Sequence, residues 1–143
     1  MNFSKILTVC EANICRSPLA QGFFGKRPDL SADSAGLTAR LDDDADPVYV
    51  EMAGKTGLDL STHKSKPLTR ELLASHDLIL VMTGGQRTRI TEKYPEFSGK
   101  VLLLGHWLRD TDSISDPHKK SHEAYARVFE QIREACALWC DRL

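Results

Sequence analysis

The apolar run Lys5-Ile6-Leu7-Thr8-Val9 passes straight into Cys10-Glu11-Ala12-Asn13-Ile14-Cys15-Arg16-Ser17, and a helical pattern opens at Pro18. A strand must therefore hand over to a helix within one short loop, the order found in sheets whose parallel strands are crossed by helices. That loop carries a thiol, a turn-forming residue, a guanidinium and a hydroxyl. The N–H groups of a helix's first turn lack intrahelical partners and point at whatever the helix start faces. A loop of this composition holds a phosphate over a sulfur.

The residue types fit that task one by one. Cys10, near the positive end of a helix and near Arg16, is expected to favour its thiolate form. The planar fork of Arg16 reaches back over the loop to grip two phosphoryl oxygens, which lysine does not do. Asn13 tolerates a left-handed backbone and suits the tight curl. The Ser17 hydroxyl can donate to the Cys10 sulfur and support it when it departs from phosphorus. Pro18 suits the first helical position, where an N–H has no partner. A cysteine and an arginine at this spacing are common by chance. Asn13, Cys15, Ser17 and Pro18 in register give the pattern its weight. Ala12 requires a backbone conformation that is not reserved for glycine. A Glu11 carboxylate beside a dianionic ligand weakens binding unless it points outward or pairs with a basic side chain.

Further along, apolar runs at 78–82 and 100–104 read as two more strands, and 30–34 is a weaker strand candidate. Asp46-Pro47 opens a helix over 47–56 that Gly57 stops. Over 121–140, Ala124, Tyr125, Val128, Ile132, Ala135, Cys136 and Trp139 recur at steps of three and four, the mark of an amphipathic helix. Strands separated by helices predict an α/β fold: three layers, α/β/α, around a central four-stranded parallel sheet, with residues 1–143 as one domain. Ligands of such sheets sit beyond the carboxyl ends of the strands, where the Cys10 loop lies. A net charge of −1 gives a nucleic-acid partner no electrostatic support. No apolar run is long enough to span a membrane and the N-terminus lacks a signal-peptide pattern, so a cytoplasmic protein with reduced cysteines is expected.

Asp116 is a candidate for the proton donor that phosphate-ester cleavage needs. Held extended by Pro117, it can lean over a site, give a proton to a leaving oxygen, and later take one from water. Taken alone, an Asp-Pro pair more often marks a turn.

The stretch from Cys10 to Pro18 resembles the phosphate-binding loop of the low-molecular-weight protein tyrosine phosphatases, which reads Cys-x-Gly-Asn-x-Cys-Arg-Ser-Pro. The likeness continues through Ser34-Ala35-Gly36, Asp77-Leu78-Ile79-Leu80-Val81-Met82 and Asp116-Pro117. Gly99-Lys100-Val101, Leu104-Gly105-His106-Trp107 and Asp116-Pro117-His118-Lys119-Lys120-Ser121 bring it nearest to the bacterial branch that partners tyrosine autokinases of capsule and exopolysaccharide assembly. The resemblance implies a flavodoxin-like fold and metal-free, cofactor-free phosphotyrosine hydrolysis through a cysteinyl-phosphate. Cys10 would be the nucleophile, Arg16 the clamp, Asp116 the general acid and base, and a phosphotyrosine protein such as an autokinase the partner of a monomer. It also implies that Ser34 braces Asn13 and that Cys15 forms a reversible disulfide with Cys10; a small buried side chain under the loop is the other reading of Cys15, and both can hold.

His118 and Lys119 stand where eukaryotic relatives carry tyrosines and, with Glu11, are the candidate substrate rim. His63 and His76 read as surface or structural, Cys136 and Cys140 as core, and Asp42, Asp43, Asp44 and Asp46 as a solvated loop capping the second helix. Three alternatives share the loop. An arsenate reductase typically needs a mid-chain cysteine pair, and nothing between Cys15 and Cys136 is cysteine. A protein-arginine phosphatase tends to carry threonine where Ile14 stands. A phosphate-binding adaptor without turnover has only Ala12 and Glu11 in its favour.

Overall fold

In the computed structural model, which describes residues 3–143, the first apolar run is a strand, β1 (Lys5–Cys10), buried from Ile6 onward. It pairs in parallel with β2 (Ser31–Gly36) on one side and β3 (Leu78–Val81) on the other, and β3 pairs in parallel with β4 (Val101–Leu103). The resulting order is β2-β1-β3-β4.

Alternate side chains of the two central strands feed two cores. Ile6, Leu78 and Leu80 pack with residues of α1 (Arg16–Phe24), α2 (Pro47–Lys55) and α5 (His122–Cys140). Leu7, Val9, Ile79 and Val81 pack with Leu73 of α3 (Arg70–Ser75) and Ile90 of α4 (Gly84–Lys93). These are the three expected layers. Strands buried on both faces read as continuous apolar runs, which is why β1 and β3 were visible in the sequence.

Several boundaries differ for local reasons. β2 runs to Gly36 because Ala35 and Gly36 pair with Val9 and Cys10. The first helix starts at Arg16 rather than Pro18, so Pro18 occupies its third position. A missing N–H costs nothing there either, since all N–H groups of the first turn lack helical partners. Ser121 caps α5 by accepting from Ala124 N instead of lying within it. Helices α3 and α4 have no counterpart in the sequence reading. The first is short and buries only Leu73. The second begins with two glycines, and a capping box sets its start: Thr83 accepts from Gln86 N while the Gln86 side chain accepts from the Thr83 backbone.

The chain leaves β1 for β2 on one side and later returns to place β3 on the other, so the loops beyond the carboxyl end of β1 part and leave a crevice. Two contacts fix what enters it. The buried Thr8 hydroxyl donates to Ser17 O at 2.8 Å, tying β1 to the start of α1. Gly36 lies so close under the loop that an added Cβ would stand 2.5 Å from Glu11 O and 2.9 Å from Asn13 N. Gly36→Ala should therefore lower stability by about 1–3 kcal/mol. Urea denaturation checks this, with Gly99→Ala, where nothing lies within 4 Å, as the reference expected to keep its midpoint.

Candidate active site

Asn13 shapes the loop. Its φ of 59° places it in the left-handed region, and its side chain is buried. Nδ2 donates to Ser17 Oγ at 2.7 Å and to Ser34 Oγ at 3.0 Å, and Oδ1 accepts from Lys66 N at 3.0 Å. The Ser34 contact is the one that the family resemblance implied. Ser34 Oγ is held in turn by Gln21 Oε1 at 2.6 Å.

A residue that the sequence did not mark completes this brace. His63 Nε2 lies 2.7 Å from the Asn13 carbonyl oxygen. A carbonyl only accepts, so Nε2 carries the proton. Burial pushes His63 below the usual imidazole range, with the bond to Asn13 partly opposing.

Cys10 ends β1 with 3% of its surface exposed, and its sulfur lies 3.0 Å from Ser17 Oγ. Ser17 Oγ already accepts from Asn13, so its own hydrogen goes to an acceptor: the Cys10 sulfur, or Ala35 O at 3.4 Å. Arg16, also 3% exposed, donates from Nη1 to Ile114 O at 2.8 Å, which leaves its other nitrogens for a ligand. Its Nη2 stands 4.0 Å from Asp116 Oδ2. The Asp116 side chain is half-exposed, and its Oδ1 accepts from His118 N at 3.0 Å. Cys10, Ala12, Ile14, Cys15, Arg16, Asp116 and His118 line one small pocket.

Two members of the expected rim lie elsewhere. Glu11 turns outward, forming an ion pair with Arg89 and lying within reach of Gln86 Nε2 at 3.5 Å. This is the outward, paired geometry that relieves its repulsion of an anionic ligand. Lys119 is exposed, has a φ of 61° and donates its backbone N–H to Tyr125 Oη at 3.0 Å. Ala12 keeps a negative φ, so no glycine is required there.

Asp46 is the main correction to the acidic loop. It caps α2 as expected, with Oδ1 accepting from Val48 N at 2.9 Å, but it is 4% exposed rather than solvated. Its Oδ2 accepts from Tyr125 Oη and His118 Nδ1, both at 2.7 Å, and from Cys15 Sγ at 3.3 Å. Burial works against the Asp46 charge, yet the bonds from Tyr125, His118 and Val48 hold its carboxyl below the ordinary range. Burial and Asp46 together push the Tyr125 phenol up to about 12 and raise the Cys15 thiol as well. Cys15 is thus a thiol under the loop, and all four cysteines are free. Cys136 is buried in the core and Cys140 half-buried, as the sequence suggested. His76 is buried and donates to Leu72 O at 2.7 Å.

A strand-end cysteine over a helix start, an arginine fork and an aspartate across the pocket define a cysteine-based phosphoryl-transfer site on a parallel α/β sheet. The chain belongs to the low molecular weight phosphotyrosine protein phosphatase family, whose sequence model matches residues 5–143. It is 38% identical over 142 residues to the low molecular weight protein-tyrosine-phosphatase Wzb of Escherichia coli strain K12, covering 99% of this chain and 96% of that one. The structure of Vibrio vulnificus Wzb in complex with benzylphosphonate superposes with a TM-score of 0.94 at 36% identity, covering 99% of this chain and all of that one (100%). The YwlE arginine phosphatase of Geobacillus stearothermophilus superposes with a TM-score of 0.90 at 27% identity, covering 97% of this chain and 92% of that one.

The His63 brace has a pH signature. Folded His63 stays neutral to lower pH than it does when unfolded, so below roughly pH 6.5 the unfolded chain takes up the proton first and stability falls. The loss should continue until the lower, folded value is passed. His63→Gln, whose amide can still donate to Asn13 O, should flatten the fall in urea midpoint between pH 7 and pH 5. Parallel curves for the two proteins would show that His63 does not carry it.

Proposed function

We propose that this chain hydrolyses protein phosphotyrosine in two steps through a phosphoenzyme on Cys10, with residues 1–143 acting as one catalytic domain. The observation that carries the reading is the convergence of the Cys10 sulfur, the Ser17 hydroxyl, the Arg16 guanidinium and the Asp116 carboxylate on one pocket.

In the first step the free N–H donors of Arg16 and the first turn of α1 bind the phosphoryl oxygens. The Cys10 thiolate attacks phosphorus from within the loop, and Asp116, protonated, gives its proton to the departing tyrosyl oxygen. In the second step Asp116, now a carboxylate, takes a proton from a water that attacks phosphorus. The P–S bond breaks, and the Ser17 hydroxyl donates to the leaving sulfur. The half-exposed position of Asp116 suits both tasks, since the leaving group and the water reach it from solvent.

Ile14 in the pocket wall supports an aromatic substrate over phosphoarginine. Fold alone does not separate the two, because an arginine phosphatase shares it. The mid-chain segment without cysteine speaks against arsenate reduction. The natural substrate in this reading is a bacterial tyrosine autokinase of exopolysaccharide synthesis, met in the cytoplasm by a monomer. No helix among the described residues is long and apolar enough to cross a membrane. Cys15 would protect Cys10 through a reversible disulfide.

Turnover of phosphotyrosine, phosphoserine and phosphoarginine peptides with EDTA present tests the reading. Only the tyrosine peptide should turn over, Cys10→Ser should abolish turnover, and Asp116→Asn should lower kcat by about 10²–10⁴-fold. Survival of tyrosine activity in Cys10→Ser, or its loss with chelator, rejects the mechanism. Arg89→Ala frees the Glu11 carboxylate. It should raise KM for a dianionic phosphopeptide by about fivefold, roughly 1 kcal/mol, with kcat little changed.

A further inference from the structure

Beside the Cys10 pocket, three metal-ligating side chains of different chemistry meet at one point. Cys15 Sγ is 3.3 Å from Asp46 Oδ2, and His118 Nδ1 is 2.7 Å from that oxygen and 3.8 Å from the sulfur. They come from the loop before α1, the cap of α2 and the loop before α5, so no spacing motif announces them. We propose that Cys15, Asp46 and His118 form a binding site for one divalent cation of the zinc class. This site goes beyond the phosphatase reading and does not rest on it.

A sulfur, an imidazole nitrogen and a carboxylate oxygen are the donor set that zinc and cobalt take in tetrahedral sites. With bonds of about 2.3 Å to sulfur and about 2.0–2.1 Å to nitrogen and oxygen, tetrahedral ligands stand roughly 3.3–3.6 Å apart. The three edges found here, 3.3, 2.7 and 3.8 Å, bracket that range. The short edge opens by a small turn of His118, whose side chain is 36% exposed.

The surroundings are those of a ligand set. Tyr125 Oη donates to the same Asp46 Oδ2 at 2.7 Å and Val48 N to Oδ1 at 2.9 Å, which fixes the orientation of the carboxylate. Cys15 and Asp46 are buried, while His118 opens on the pocket and provides the entry path. The protons balance. As the metal–sulfur bond forms, the Cys15 thiol proton passes to water. Neutral His118 moves its proton from Nδ1 to Nε2, freeing Nδ1 to bind; an imidazolium sheds one proton to water. One thiolate and one carboxylate then neutralise the two positive charges, with water as the fourth ligand. Occupancy removes Cys15 from thiol chemistry and pins His118, whose backbone N–H holds Asp116.

The test uses the full chain as Cys10→Ser, which takes the pocket's other thiol out of play. Cobalt(II) titration should give a thiolate-to-metal charge-transfer band in the near ultraviolet, saturating at one equivalent. Adding Cys15→Ala should abolish the band. Adding His118→Ala, a change on a half-exposed loop that leaves the core intact, should weaken cobalt binding by about tenfold or more. A missing band at saturating cobalt, a band that survives Cys15→Ala, or an unchanged affinity in His118→Ala overturns the site.

Discussion

A loop that presents a row of N–H groups to one anion has to curl against its own preference, and here the curl is held by Asn13. A non-glycine residue in the left-handed region is disfavoured, by about 1–2 kcal/mol for most side chains and less for asparagine. Asn13 is kept there by side-chain bonds to Ser17, Ser34 and Lys66 N and by the His63 bond to its carbonyl. The same bonds orient the Ser17 hydroxyl toward Cys10, anchor β2 beneath the loop and draw the 63–66 segment over it. Gly36 gives the room in which all of this fits.

A second set of contacts joins the loop to parts of the chain far from it. Ile114 N donates to Met82 O at the end of β3, and Ile114 O receives Arg16. The guanidinium is therefore placed by the sheet through one residue of the segment that also carries Asp116. Asp46 ties the loop to two further segments, since one oxygen accepts from Cys15, His118 and Tyr125. Donors fixed before a ligand arrives need no reorganisation during reaction.

What could be read in the sequence was local. The chemistry of residues 10–17 lies on consecutive residues. β1 and β3 are continuous apolar runs, and α5 is long enough for its period to show. What could not be read depends on burial or on distant partners. Nothing near His63 or Asp46 in the chain says that each will be drawn against the loop, and Asp46 sits in an acidic run whose other members are solvated. α3 is too short for a period. The start of α4 was written in Thr83 and Gln86, a threonine followed three residues later by glutamine, but Gly84-Gly85 between them reads as a turn.

The Glu11–Arg89 pair separates two kinds of constraint. Glu11 leaves the backbone of the loop, yet its carboxylate is answered by α4, which contributes no residue to the lining of the Cys10 pocket. The charge that answers Glu11 thus comes from the crossover between β3 and β4, while Cys10 and Arg16 come from β1 and the crossover that follows it. A change on α4 can therefore alter the charge beside the loop while Cys10, Arg16 and Asp116, all carried elsewhere in the chain, stay as they are.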